Sequence, residues 1–153
     1  MEASELIAGF GERIGIELVF GADGGCAFDA DGFVVTANYL PETNTVVLSG
    51  YIGEPPPERL EGLYKAVLAA NHLFSGTGGA TMSLDQDTGR IALCRALPLA
   101  LMDVDSFYAE VERFVNTAEV WRKIVSDYRE AAGEASGLEE ESVQFSKRGF
   151  MQV

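Results

Sequence analysis

A chain of 153 residues with 11 lysines and arginines against 24 aspartates and glutamates carries a formal net charge of -13. That charge repels phosphate backbones and anionic membranes, so nucleic acid and membrane surfaces are poor partners, whereas basic or polar unfolded chains are favoured ones. A hydrophobic share of 47% fits one globular domain, and no run approaches the roughly 18 apolar residues of a membrane span.

Met1-Glu2-Ala3-Ser4-Glu5 has two acids and no base, unlike the start of a secretory signal, and the expected location is the cytoplasm. Cys26 and Cys94 lie far apart without metal-ligand spacing; in a reducing compartment both read as small buried apolar residues.

From Ser4 to Ile14, Leu6, Ile7, Phe10 and Ile14 form one apolar helical stripe that Gly15 ends. Cys26, Phe28 and Ala30 alternate with Ala27 and Asp29. Asp31-Gly32 then leads into Phe33 to Ala37, an Asp-Gly pair between β-rich runs being a strong hairpin signal. Pro41 to Asn44 makes a second turn before a strand from Thr45 to Ile52.

Pro55-Pro56-Pro57 cannot continue a strand but suits a helix start. Leu60, Leu63, Tyr64, Val67, Leu68 and Asn71 follow at helical spacing, and the helix dissolves into Ser75-Gly76-Thr77-Gly78-Gly79. Ala80 to Asp85 and Arg90 to Leu97 read as a second hairpin. Beyond Pro98, Asp103 caps a long helix whose apolar positions run from Val104 through Phe107, Tyr108, Val111, Phe114, Val115 and Trp121 to Tyr128, a stripe expected to be core.

Residues 1–132 are thus expected to form one domain, and the Gly-, Ser- and Glu-rich segment 133–153 a flexible acidic tail. The order helix-βββ-helix-ββ-helix predicts an α+β fold with helices packed on one side of an antiparallel sheet.

The sequence offers no catalytic, cofactor or metal site. His72 is the single histidine and reads as structural. Ser75 to Gly79 lacks the Lys-Ser/Thr ending of a phosphate loop and runs from helix into strand, the reverse of that motif. Asp29-Ala30-Asp31-Gly32 and Asp85-Gln86-Asp87 lack the further spaced ligands of a calcium loop, and turn chemistry accounts for both. Nothing supplies Asp85 and Asp87 with a nucleophile or a perturbing environment for acid-base work.

Leu68-Ala69-Ala70-Asn71, then Gly78-Gly79-Ala80-Thr81-Met82-Ser83-Leu84-Asp85 and Gly89-Arg90-Ile91-Ala92-Leu93, then Phe114-Val115 and Ala118-Glu119-Val120-Trp121, in this element order, resemble the CesT/Tir-chaperone family of class I type III secretion chaperones. The resemblance spans about Ser4 to Tyr128 and leaves the segment after Tyr128 unassigned. It implies a non-enzymatic homodimer, without cofactor, that holds an extended N-terminal segment of an effector protein and keeps it soluble and secretion-competent.

By element position, the resemblance places the dimer interface at Leu60, Leu63, Tyr64, Val67 and Met82, and effector binding at Leu6, Phe10, Phe28, Val35 and Leu48. An open strand edge suits such a role, since an extended partner can add to it as a strand. Two rival readings are a small-ligand-binding or enzymatic α+β domain, and a regulatory or immunity-type protein that masks a folded partner.

Overall fold

A computed structural model describes the backbone of residues 1–149 and the side chains of residues 1–133. Helix α1 spans Ala3–Ile14 and starts in a capping box: the Glu2 side chain accepts from the third helical N–H, and the Glu2 N–H donates to Glu5 Oε2 at 3.0 Å. Gly15, at φ 79°, closes it.

Strands β1 (Gly25–Ala30) and β2 (Phe33–Leu40) meet at Asp31 and Gly32, whose φ angles of 52° and 82° are the positive pair that the two-residue hairpin requires. Asp29 Oδ1 accepts the Gly32 N–H at 2.9 Å and fixes that turn. Strand β3 (Thr45–Gly53) completes the meander.

Past the prolines, a 3-10 turn at Pro57–Arg59 feeds helix α2 (Leu60–Asn71). A second 3-10 turn, His72–Phe74, carries Leu73 and Phe74 at φ 51° and 55°, and leads toward β4 (Thr81–Leu84) and β5 (Ile91–Pro98). After a 3-10 turn at Leu99–Leu101 comes helix α3 (Val104–Gly149). Its start is capped reciprocally: Asp103 Oδ1 accepts the Ser106 N–H at 2.7 Å, and the Asp103 N–H donates to Ser106 Oγ at 2.8 Å.

The five strands form one antiparallel sheet in the order β1-β2-β3-β5-β4, as the α+β reading expects. Because side chains alternate across a strand, Phe28, Val35, Ala37, Val46, Leu48 and Leu93 fall on one face. They pack there against Leu6, Ile7 and Phe10 of α1 and Phe107, Phe114 and Trp121 of α3. Phe10 meets Phe107 edge-on with centroids 5.1 Å apart and Phe28 at 5.3 Å. The opposite face presents Val34, Thr36, Ser49 and Tyr51, exposed or half-buried.

Polar contacts from three side chains position the α2–β4 region. The Asn71 side-chain amide donates from Nδ2 to the Met82 carbonyl and accepts the Met82 N–H at Oδ1, both at 2.9 Å. The Trp121 indole N–H donates to the Gly76 carbonyl at 2.8 Å. Arg95 of β5 bonds Glu110 of α3 at 2.7 Å and the Gly78 carbonyl at 3.2 Å. Its guanidinium occupies the space a Cβ on Gly79 would take, and Gly79 sits at φ 90°.

One expectation needs correction. Cys26 and Cys94 are half-buried rather than buried; partial desolvation still pushes both thiols up. The backbone of the last helix continues beyond the apolar stripe that reaches Tyr128 and stays helical to Gly149. No proline interrupts residues 129–149, Ala, Glu and Leu are good helix formers, and each of Gly133 and Gly137 costs only about 1 kcal/mol. The expected flexible tail, 133–153, lies from residue 134 on outside the residues whose side chains are described.

Candidate binding surfaces

Helix α2 has two apolar faces. Leu63, Val67 and Ala70 turn inward and are buried. Leu60, Tyr64 and Leu68, four residues apart on another face, remain exposed or half-buried, with Leu68 69% exposed. Tyr64, Val67 and Leu68 border an apolar groove of about 350 Å³ whose other wall is β4, through Met82 and Leu84.

Strand β4 is a sheet edge, paired only with β5. The Asn71 clasp on Met82 ties it to α2, so groove and edge form one surface. Leu73, 83% exposed, and Phe74 extend the apolar area beyond the end of α2.

The structure therefore separates the residues expected at the dimer interface. Leu60 and Tyr64 are on the surface, Val67 and Met82 form the nearly buried floor of the groove, and Leu63, with no exposure, belongs to the protomer core. Leu68, Leu84, Leu73 and Phe74, outside the set expected from the sequence, are exposed on that surface. The sequence signals Leu68 alone, through the interval of four from Leu60 through Tyr64.

The five residues expected to touch an effector are core residues: Leu6, Phe10, Phe28, Val35 and Leu48 have exposures between 0% and 7%. Their apolar pattern marks burial inside the protomer, which leaves little of them for a partner to touch. The edges of Phe10 and Phe28 nevertheless reach a second groove, about 410 Å³, between α1, β1 and α3.

Ile14, Ile16, Tyr108, Val111 and Val115 continue its apolar lining, and Asp29, Asp31, Glu112, Asn116 and Glu119 complete it. Tyr108 and Val115, expected in the core, are half-buried here. Arg13 of α1 stacks on the Tyr108 ring at 4.3 Å and pairs with Asp105, joining α1 to α3 beside the groove. Strand β1, which forms one wall, is the other edge of the sheet.

A third cleft, about 730 Å³, lies between the end of β3, the start of β5 and α3, lined by Tyr51, Glu54, Arg90, Arg122 and Arg129 among others. No residue expected to act at a site lies in it. Nearby, the Tyr51 hydroxyl donates to Asp85 at 2.6 Å. This bond raises the Tyr51 phenol and, with a second from Thr88, lowers the Asp85 carboxyl.

Among the described residues no group of three or more His, Cys, Asp or Glu could hold a metal ion, and no helix is long and apolar enough to cross a membrane.

Comparison with known proteins gives a consistent answer. Residues 5–122 match the model of the Tir chaperone protein (CesT) family. No curated protein sequence matches the chain. Among solved structures, the fold is similar to a chain of the ExsC-ExsE complex, with TM-score 0.70 and 22% identity, covering 82% of this chain and 97% of that one. It is also similar to a chain of the HopA1-SchA chaperone-effector complex, with TM-score 0.67 and 20% identity over 78% of this chain and 91% of that one. A third likeness is to the complex of the Yersinia pestis type III secretion chaperone SycH with a stable fragment of YscM2, with TM-score 0.62 and 21% identity over 77% and 98%. The family match spans most of the chain and coincides with the helices and sheet that build both apolar grooves: this protein belongs to the Tir chaperone protein (CesT) family.

Proposed function

We propose that this protein is a cytoplasmic type III secretion chaperone that acts by binding, without catalysis. As a homodimer it holds an extended N-terminal segment of an effector and keeps that segment soluble and secretion-competent. The observation that carries the reading is a family-matched fold that, fully packed, still leaves apolar grooves beside both of its edge strands.

The α2–β4 groove is assigned to the second copy. Its exposed leucines on a helix face suit a two-fold contact, in which the same patch serves both partners. Leu60, Tyr64, Val67 and Met82 contribute there, with Leu68 and Leu84 as the protruding contacts.

The α1–β1–α3 groove is assigned to the effector. A client strand can add to the free edge of β1 while its side chains enter the apolar lining, where Phe10 and Phe28 form the wall and Leu6, Val35 and Leu48 support it from behind. Val115 is half-buried in that lining.

Co-purification from the source cell followed by light scattering tests the reading. A two-to-two or two-to-one complex with a secreted protein, captured through that protein's N-terminal region and lost on Val115→Gln, is expected. A solitary protomer that binds no unstructured segment of any secreted protein would overturn it.

A further inference from the structure

The effector groove is apolar inside and one-signed in charge around it. Asp29 and Asp31 lie on the β1 side, Glu112 and Glu119 on the α3 side, and all four are exposed. No Lys or Arg lines the groove. None of the four carboxylates joins an ion pair among the described residues. Arg13, the guanidinium stacked on Tyr108, is already engaged by Asp105. Glu112 and Glu119 stand seven residues apart, two helical turns, so they share a face with about 10.5 Å of rise between them.

From this we infer that the groove selects client segments in which basic side chains flank the apolar anchors, and rejects acidic ones. The inference rests on the assignment of this groove to the client. A strand laid on β1 sends alternate side chains toward and away from the groove. Its apolar residues enter beside Phe28 and Val115. Lys or Arg side chains at groove-facing positions that flank the anchors lay their alkyl stems along the walls and reach Glu112 and Glu119 with their heads, while those at intervening positions, on the other face, reach toward Asp29 and Asp31. An acidic residue at the same place meets two rows of like charge, which supplies the repulsive half of specificity. The total charge of -13 steers basic chains toward the whole molecule; the groove adds a local choice.

The test uses the full chain and two synthetic peptides with identical apolar anchors, the groove-facing positions that flank the anchors and the intervening positions being Lys and Arg in one and Glu and Asp in the other. Affinities are read by fluorescence anisotropy at about 50 mM and about 500 mM salt, either side of the range where screening removes exposed-charge attraction. At low salt the basic peptide binds about tenfold or more tighter, and high salt shrinks that ratio.

In the variant D29N/D31N/E112Q/E119Q the ratio falls to about threefold or less. Asp29→Asn retains an oxygen to accept the Gly32 N–H, and Asp31→Asn tolerates the positive φ, so the hairpin survives. A variant with the same net charge, E42Q/E58Q/D87N/E130Q, keeps the wild-type ratio.

Discrimination that persists in the groove variant, or falls equally in both variants, overturns the inference. Val115→Gln separates it from the reading beneath: loss of both peptides with no discrimination in the wild type sinks the charge selection alone. Binding undiminished by Val115→Gln, or no binding of either peptide to the wild type, sinks the groove assignment and the inference with it.

Discussion

Asn71→Ala removes a side chain that makes no ion pair and lines no groove, yet it should be among the more damaging single changes in the α2–β4 region. Its amide bonds both the N–H and the C=O of Met82, at 2.9 Å each in a partly buried setting, on the side of β4 that no strand covers. Two such bonds are worth about 1 kcal/mol each net, and stranding the Met82 groups in partial burial adds up to about 1 kcal/mol more. The better helix propensity of Ala returns about 0.5 kcal/mol. The balance is a loss of about 2 kcal/mol, or a fall in Tm of roughly 4–8 °C for a domain of this size. Urea denaturation must be run at one fixed chain concentration, because the proposed pairing of two copies would add to apparent stability. Hydrogen exchange should localise the loss at the Met82 amide. An unchanged midpoint, or a Met82 amide as protected as before, would refute the idea that this amide holds the edge strand.

Asn71→Asp sharpens the test through pH. The introduced carboxylate accepts the Met82 N–H but faces the Met82 carbonyl oxygen, so its ionised form is penalised and its folded pKa rises above the unfolded value of about 3.9. A carboxyl raised in this way lends stability that is complete below the unfolded pKa and is lost as pH rises through the folded pKa. Measured against Asn71→Ala, which cancels the titration of every other group, Asn71→Asp should gain ground as pH falls from 7 toward about 4. A flat difference across that range would contradict the geometry.

The two faces of α2 should separate in mutagenesis. Leu63→Asp, at a fully buried site, unfolds the protomer, whereas Leu68→Asp leaves far-ultraviolet circular dichroism intact and yields monomers by light scattering. If Leu68 is buried on each side of the proposed two-fold contact, its loss at roughly 1.5 kcal/mol or more apiece should weaken that pairing at least about 100-fold. Asp103→Ala should lower stability through the lost cap of α3, and Asp103→Asn much less, as seen by chemical denaturation at neutral pH. Because bonds from Ser106 hold the Asp103 carboxyl below its ordinary value, its stabilisation is present above the unfolded pKa and lost as pH falls through the folded one. The acid limb of the stability profile should therefore flatten in Asp103→Asn. Gly79→Ala should cost about 2 kcal/mol, measured the same way, since it combines a positive φ with displacement of the Arg95 guanidinium from Glu110. Wild-type stability there would refute the close approach.

What the sequence made legible was local. Asp31-Gly32 named its hairpin because few pairs take two positive φ angles, and Asp103 named its helix start because a short acceptor before an apolar periodic run has one common use. Element order and sheet strands followed from such punctuation together with alternation. The sites were harder to read because an apolar periodicity records which residues avoid water without saying what covers them. Leu6, Phe10, Phe28, Val35 and Leu48 stand out in the sequence for the same reason that they are buried, so choosing prominent residues as client contacts selected the core.

A binding surface leaves its trace as apolar residues beyond those the core uses. A helix with one partner needs one stripe, and α2 satisfies its own core with Leu63, Val67 and Ala70. Leu60, Tyr64 and Leu68 are then apolar residues in excess of what the protomer uses, and an excess on a charged, water-facing surface asks for a further partner. Along α3 a related surplus appears with a sign attached: Tyr108 and Val115 line a groove that also carries Glu112 and Glu119. There, residues that a one-dimensional pattern assigns to core and to solvent become neighbours, so only the folded chain brings together the apolar contact and the charge that would choose its ligand.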